Sequence, residues 1–158
     1  MIKLVQDSDF GRCLSVIRES FSSVAKEFNI TEENCPTHTS FITMRNLEYH
    51  NSNGFLMYGY LCNDGIIGYV SLENKGNGVF ELRNLAVLPE HRHKGLGKQL
   101  LDFCETKVKE LDGCKITIGI IEENTVLKNW YVANGYLHVG TKTFPHLPFT
   151  VGYMEFTV

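Results

Sequence analysis

The chain predicts a mixed α/β fold in a single domain spanning residues 1–158, and three observations carry that prediction. An apolar, strand-compatible run at 79–88 leads through a basic, glycine-containing loop into an amphipathic helix whose Leu96, Leu100, Leu101, Cys104, Val108 and Leu111 recur at helical spacing. A second strand–helix–strand run follows from 116 to 142, and an earlier hairpin pattern spans 56–72. With 43% apolar and 21% charged residues the chain can bury one proper core, and no repeat, linker or low-complexity tract divides it.

Taken in order, Ile2 to Val5 reads as a first strand. Asp7 or Ser8 then caps a helix striped by Phe10, Cys13, Leu14, Ile17, Phe21, Val24 and Phe28. A polar break from 29 to 39 contains Pro36, and a second helix runs through Phe41, Met44 and Leu47. Strands 56–62 and 66–72 pair around Asn63-Asp64-Gly65, and Asn74 to Gly78 turns into the strand at 79–88, which Pro89 ends because it has no N–H for a ladder. Asp112-Gly113 stops the long helix, 116–121 is a buried strand, and Asn124 caps a helix whose stripe is Val126, Leu127, Trp130 and Tyr131. Gly135 closes that helix, 136–142 returns as a strand, and 151–158 alternates around Tyr153 and Glu155. The order is β-α-α-β-β-β-α-β-α-β-β, one mixed sheet.

Chemistry concentrates in Arg92-His93-Lys94-Gly95-Leu96-Gly97. Glycines at a helix entrance let unpaired N–H groups, the positive helix end and neighbouring cations face one anion, and a pyrophosphate is the natural guest. A Walker loop would need glycine where Arg92 stands and Ser or Thr where Gln99 stands; a dinucleotide fingerprint would need a small residue at Leu100 and a tighter turn from the strand. Neither fits. The loop resembles the acetyl-CoA loop of the GNAT superfamily of N-acetyltransferases: Arg or Gln, two residues, Gly, any residue, Gly or Ala. Arg92, Gly95 and Gly97 match it, and the Asn84-Leu85-Ala86-Val87-x-Pro89 strand ending is also similar. The family's second signature, an Asn opening a helix, a Tyr two turns on and Gly-aromatic four residues later, is met by Asn124, Tyr131 and Gly135-Tyr136.

The resemblance, which covers the C-terminal half, implies a mostly antiparallel mixed sheet of six to seven strands flanked by about four helices. Two splayed parallel strands would form the acyl-CoA cleft. In the strand at 79–88 the apolar residues fall at even positions early (Phe80, Leu82) and odd positions late (Leu85, Val87), which suits either a bulge near Arg83-Asn84 or a strand buried on both faces. The resemblance favours the bulge. It further implies acetyl-CoA as co-substrate, held by the backbone of Leu85, Ala86 and Val87, by the loop residues Arg92, His93, Lys94, Gly95, Leu96, Gly97 and Lys98, and by Asn124, with no metal.

Amine acetylation needs a base for the ammonium proton and an acid for the departing thiolate. The resemblance offers Glu81, eleven residues before Arg92, as the base and Tyr131 as the acid. Each has a plainer alternative. Glu81 could pair with Arg83 or a cross-strand lysine, Tyr131 could be a core tyrosine, and Asn124 could be an ordinary helix cap. The backbone N–H near Val87 would polarise the thioester carbonyl.

The acceptor, a small-molecule or peptide amine, would enter beside segments 34–39 and 144–149, which carry His38 and His146 as candidate orienting or relay groups. A non-catalytic acyl-CoA sensor is the alternative. A nucleic-acid partner ranks last, since the net charge is -3 and the basic spot is only phosphate-sized. Five cysteines without a CxxC pair read as buried thiols of a reducing compartment, and the absence of a signal-like or membrane-length apolar run points to the cytoplasm and no membrane. Exposed apolar residues such as Phe156 and Val158 could support a homodimer through edge strands.

Overall fold

The computed structural model describes residues 1–63 and 65–158. In chain order its elements are β1 (Ile2–Leu4), α1 (Phe10–Glu27), α2 (Met44–Ser52), β2 (Leu56–Cys62), β3 (Gly65–Gly76), β4 (Val79–Val87), α3 (Leu96–Glu110), β5 (Lys115–Ile121), α4 (Thr125–Ala133), β6 (Leu137–Lys142) and β7 (Val151–Thr157). The strands form one sheet in the order β1-β2-β3-β4-β5-β7-β6. Every neighbouring pair is antiparallel except β4 and β5, which run parallel. The expected α/β architecture is the one observed. The hairpin turn foreseen at Asn63-Asp64-Gly65 includes Asp64, which lies outside the described residues.

Each face of the sheet has its own core. On one face α3 and α4 cover Val70, Leu72, Phe80, Leu82, Ile116, Ile118 and Ile120, with Leu100, Leu101, Cys104, Val108 and Tyr131 packed on them. On the other, α1 and α2 cover Met57, Ile67, Tyr69, Ala86 and Leu88 with Cys13, Val16, Ile17 and Leu47. A third cluster joins the end of α1 (Ala25), the following loop (Ile30, Cys35), Ile121 at the end of β5, and Leu147 and Phe149 of the β6–β7 connection. Gly113 lets the chain leave α3 tightly: a Cβ there would clash with Val108 and lie 2.9 Å from Phe80.

Several local expectations shift. Asp7 and Ser8 lie in a 3-10 turn rather than capping α1; Asp9 takes the N-cap position, accepting from the Gln6 N–H at 2.8 Å and pairing with Lys3. The second helix divides, because Thr43 accepts from the Asn46 N–H and restarts the chain after a turn at Thr39–Phe41. β3 runs to Gly76, four residues past the expected end, carried by its pairing with β4 through Glu73 and Asn74. Val126 points to solvent and is 79% exposed, leaving Leu127, Trp130 and Tyr131 as the packed stripe of α4. Phe156 and Val158 pack against the core instead of facing outward; among the described residues the exposed apolar strand residues are Leu4, Leu137, Val139 and Tyr153. Of the cysteines, Cys13, Cys35 and Cys104 are buried, Cys62 is half-buried and Cys114 is exposed. Burial pushes the Cys13 and Cys104 thiols up to about 12, so both stay protonated. Among the described residues no helix is long and apolar enough to cross a membrane.

Candidate active site

The site begins with a gap in the sheet. β4 and β5 pair only over Val79–Glu81 against Lys115–Thr117, and beyond that they part. The cause lies on β4: Tyr69 faces Ala86 and Ser71 faces Arg83, so Val70 alone spans Asn84 and Leu85. This is the bulge, and Asn84 adopts φ +56 to make it. The extra residue switches which side chains face which core. Phe80 and Leu82, then Leu85 and Val87, face the α3 side, whereas Ala86 and Leu88 join the α1 side. The broken alternation along the strand is this switch.

At the open end of the gap the chain makes a 3-10 turn at Pro89–His91 and enters α3 through residues of unusual conformation. His93 and Gly95 both take left-handed backbone, at φ +61 and +81, which turns successive N–H groups toward one side. The first intrahelical bond of α3 is Gln99 N–H to Gly95 C=O. Among the described residues, the N–H groups of His93, Lys94, Gly95, Leu96, Gly97 and Lys98 therefore have no protein acceptor. Gly97 faces Trp130 of α4, where a Cβ would sit 3.5 Å from the indole. This is a cradle of peptide hydrogens at a positive helix end.

The cations around it are partly committed. Arg92 turns inward: its guanidinium donates to Val87 C=O at 3.3 Å, Ser23 Oγ at 3.1 Å, and Ser20 C=O and Oγ at 2.8 and 3.2 Å. It fastens the loop to α1 and occupies the Val87 carbonyl. Lys94 donates to Glu90 C=O, and Lys98 pairs with Asp102 one turn along at 2.8 Å. His93 is exposed.

Glu81 lies on the α1 side of the sheet, at the last paired position before the gap. Its Oε2 meets Arg83 at 3.2 Å and Lys75 at 3.7 Å, and the same cations reach Glu73, Arg83 across the β3–β4 ladder at 2.7 Å and Lys75 along β3 at 3.5 Å. Among the described residues Glu81 Oε1 has no ionic partner. Tyr131 approaches from the opposite face. It is 5% exposed, its ring is held edge-on between Trp130 and Tyr136, and its phenol makes no hydrogen bond among the described residues. Burial raises its pKa above that of an ordinary phenol, so the hydroxyl keeps its proton at neutral pH. Asn124 caps α4, its side chain accepting from the Leu127 N–H at 3.2 Å.

His38 caps the turn at Thr39–Phe41, whose Thr39 reaches the bulge residue Asn84. Its Nδ1 lies 2.7 Å from Ser40 Oγ and accepts from the Ser40 N–H, its ring packs edge-on against Phe21 and Phe41, and burial lowers its pKa. His146 is exposed beside Phe144. Several participants gave no sequence signal. Thr39 lies 3.4 Å from the bulge residue Asn84, Ser20 and Ser23 hold Arg92, and Gly119 adds no side chain to the α1 face of β5. Only the glycine, isolated within an apolar strand, could have been noticed in advance.

The acetyltransferase (GNAT) family matches residues 20–136, most of the chain. The chain belongs to that family. An uncharacterized N-acetyltransferase from the pepI 3' region of Lactobacillus delbrueckii subsp. lactis is 26% identical over 154 residues, covering 90% of this chain and 88% of that protein. PaiA N-acetyltransferase from Thermoplasma acidophilum, solved with coenzyme A, superposes at a TM-score of 0.79 and 22% identity over 100% of this chain and 98% of its own. The protein yncA from Salmonella typhimurium, solved with its cofactor acetyl-CoA, gives 0.75 at 15% identity over 99% and 92%. The parted parallel strands and the bulge are thus set in a GNAT fold throughout.

Proposed function

We propose that the protein moves an acetyl group from acetyl-CoA to a primary amine by direct attack. The observation that carries this reading is the parting of β4 and β5 after three paired residues, with a cradle of unpaired N–H groups at the open end. The pyrophosphate would lie on the N–H groups of residues 93–98 and the pantetheine arm along the free edge of Leu85–Val87. Arg92 contributes by holding that loop in place, since its own donors are taken. The thioester then sits at the bulge.

The amine approaches from the α1 side, where Glu81 Oε1 takes its proton directly or through water. The amine nitrogen bonds to the acetyl carbon, the carbonyl oxygen becomes an oxyanion, and a backbone N–H near Val87 stabilises it by roughly 3 kcal/mol. Collapse breaks the carbon–sulfur bond, the Tyr131 hydroxyl protonates the leaving thiolate from the other face, and the second proton that the nitrogen sheds on becoming an amide passes to solvent, which also reprotonates the phenolate. One observation favours the non-catalytic sensor instead: Glu81 already has Arg83 and Lys75 beside it.

Calorimetric titration with acetyl-CoA, CoA and ATP, followed by thiol release over an amine panel, tests the proposal. Both thioester and free thiol should bind, ATP should not, and thiol release should require an amine. Tight binding with no turnover on any amine would establish the sensor.

A further inference from the structure

Resting on the transferase reading, we infer that the acceptor is a primary monoamine carried on an apolar, ring-sized body, and that this body sits between β5, β7 and β6. A pocket of about 380 Å³ lies there, lined by Thr117, Val139, Thr141, Tyr153, Met154 and Glu155 among others. Its walls are mainly carbon. It adjoins the proposed reaction centre through the ladder: Thr117 faces Glu81 of β4 on one side and Glu155 of β7 on the other.

Gly119 makes the passage. Ile116, Ile118 and Ile120 point into the α3-side core, so Thr117 and Gly119 face the acceptor side. Gly119 is exposed and stands opposite Tyr153; it carries no side chain of its own, and a Cβ there would lie 3.5 Å from Val151 and 3.9 Å from the Tyr153 ring, so β7 supplies the walls of this stretch. A glycine inside a strand without positive φ marks close approach of another group rather than a turn.

Charge decides the class of guest. The three carboxylates on this face are already matched by protein cations: Glu73 and Glu81 by Arg83 and Lys75, and Glu155 by Lys115 at 3.1 Å. Lys142 also lines the pocket, its ammonium 4.9 Å from the Phe144 ring centre. A second ammonium on the acceptor would meet this cation and, among the described residues, no unmatched carboxylate, whereas an aromatic or branched apolar body would meet Val139 and the Tyr153 ring. The pocket is a trough open to solvent, so these walls would hold the body on one side.

Three probe amines test this: 2-phenylethylamine, ethylamine and 1,4-diaminobutane, compared by thiol release and by calorimetry on the CoA-bound protein. The phenyl compound should exceed ethylamine in kcat/KM by roughly 30-fold, or about 2 kcal/mol at 1.4 kcal/mol per decade, and the diamine should show no advantage over ethylamine. Val139→Asp, at an exposed position, should lower the first ratio and raise the diamine. Turnover best with the diamine would overturn the inference while leaving the transferase reading intact. So would failure of 2-phenylethylamine to bind, or a Val139→Asp protein that loses a dimer in sedimentation without changing amine preference. Saturable binding of 2-phenylethylamine, weakened by Val139→Asp, with no thiol release from any amine would uphold the pocket and overturn the transferase reading.

Discussion

Replacing Arg92 with alanine separates two roles that the sequence alone merges. The side chain makes four hydrogen bonds, of which those to Ser20 C=O at 2.8 Å and Ser23 Oγ at 3.1 Å are the soundest. A hydrogen bond from a charged donor contributes about 1.5–3 kcal/mol, and this guanidinium is only half-buried, so the low end applies. Two such bonds give a loss of about 3 kcal/mol, or a Tm roughly 6–12 °C lower for a domain of this size. CoA affinity should fall less than about tenfold, because the cradle is backbone and the variant only loosens its anchorage. That factor should be alike at about 50 and about 500 mM salt, since no exposed ion pair to the ligand is removed. The double variant Ser20→Ala, Ser23→Ala, with Arg92 kept, should reproduce most of the stability loss. Differential scanning calorimetry and CoA titration at both salts provide the readings. An unchanged Tm with a Kd raised beyond tenfold at low salt and restored at high salt would show that Arg92 grips the diphosphate itself.

The neighbouring elements give three further tests. His50 stacks on Phe55 at 4.5 Å, and its Nδ1 is buried without a partner among the described residues, so His50→Phe should stabilise the protein by about 1 kcal/mol in thermal unfolding at pH 7. Its pKa is lowered, chiefly by burial and then by Arg83, so its contribution is complete above the ordinary value of 6.5 and is lost as pH falls through it; the gain from His50→Phe should be larger at pH 5.5 than at pH 7.5, and an equal gain would refute the assignment. Tyr131→Phe should lower kcat by about 10²-fold or more while leaving CoA affinity within a few-fold, measured by thiol release and calorimetry. Asn84→Gly should be nearly neutral and Asn84→Val should cost about 2 kcal/mol with a fall in kcat, because a β-branched residue resists φ +56; comparable stabilities would mean that the bulge does not depend on this residue.

What could be read in advance was whatever the chain encodes locally. The basic loop and α3, the Asn124 cap with α4, and the order of strands and helices follow from spacing, turn residues and caps within a dozen positions. Even the bulge left a trace, since Phe80, Leu82, Leu85 and Val87 change parity around it. The direction of the Arg92 side chain left none. It depends on Ser20 and Ser23, about seventy residues earlier, which look like ordinary helix-surface serines until α1 packs beside the loop. Phe156 and Val158 misled for the same reason: their burial is decided by β7 lying between β5 and β6, a placement no local pattern specifies. The acidic and basic residues on β3 and β4 could be expected to pair, but not that one set of cations would serve both Glu73 and Glu81.

One inserted residue explains why the proposed acid and base can act on the same bond without meeting. A strand of unbroken register would keep one parity on each face throughout, and Leu85 and Val87 would project toward the α1 side with Glu81. The bulge at Asn84 reverses this after Arg83, leaving Glu81 and Arg83 on the acceptor side while Leu85 and Val87 turn toward α3 and the Tyr131 cluster. It also ends the pairing that would otherwise hold β4 to β5, so the opening forms where the parity changes. An amine losing its proton to Glu81 and a sulfur gaining one from Tyr131 would then stand on opposite sides of the sheet. A planar thioester between them would be open to attack from one face and to departure toward the other, so the base and the acid would each reach their own atom without competing for the same space.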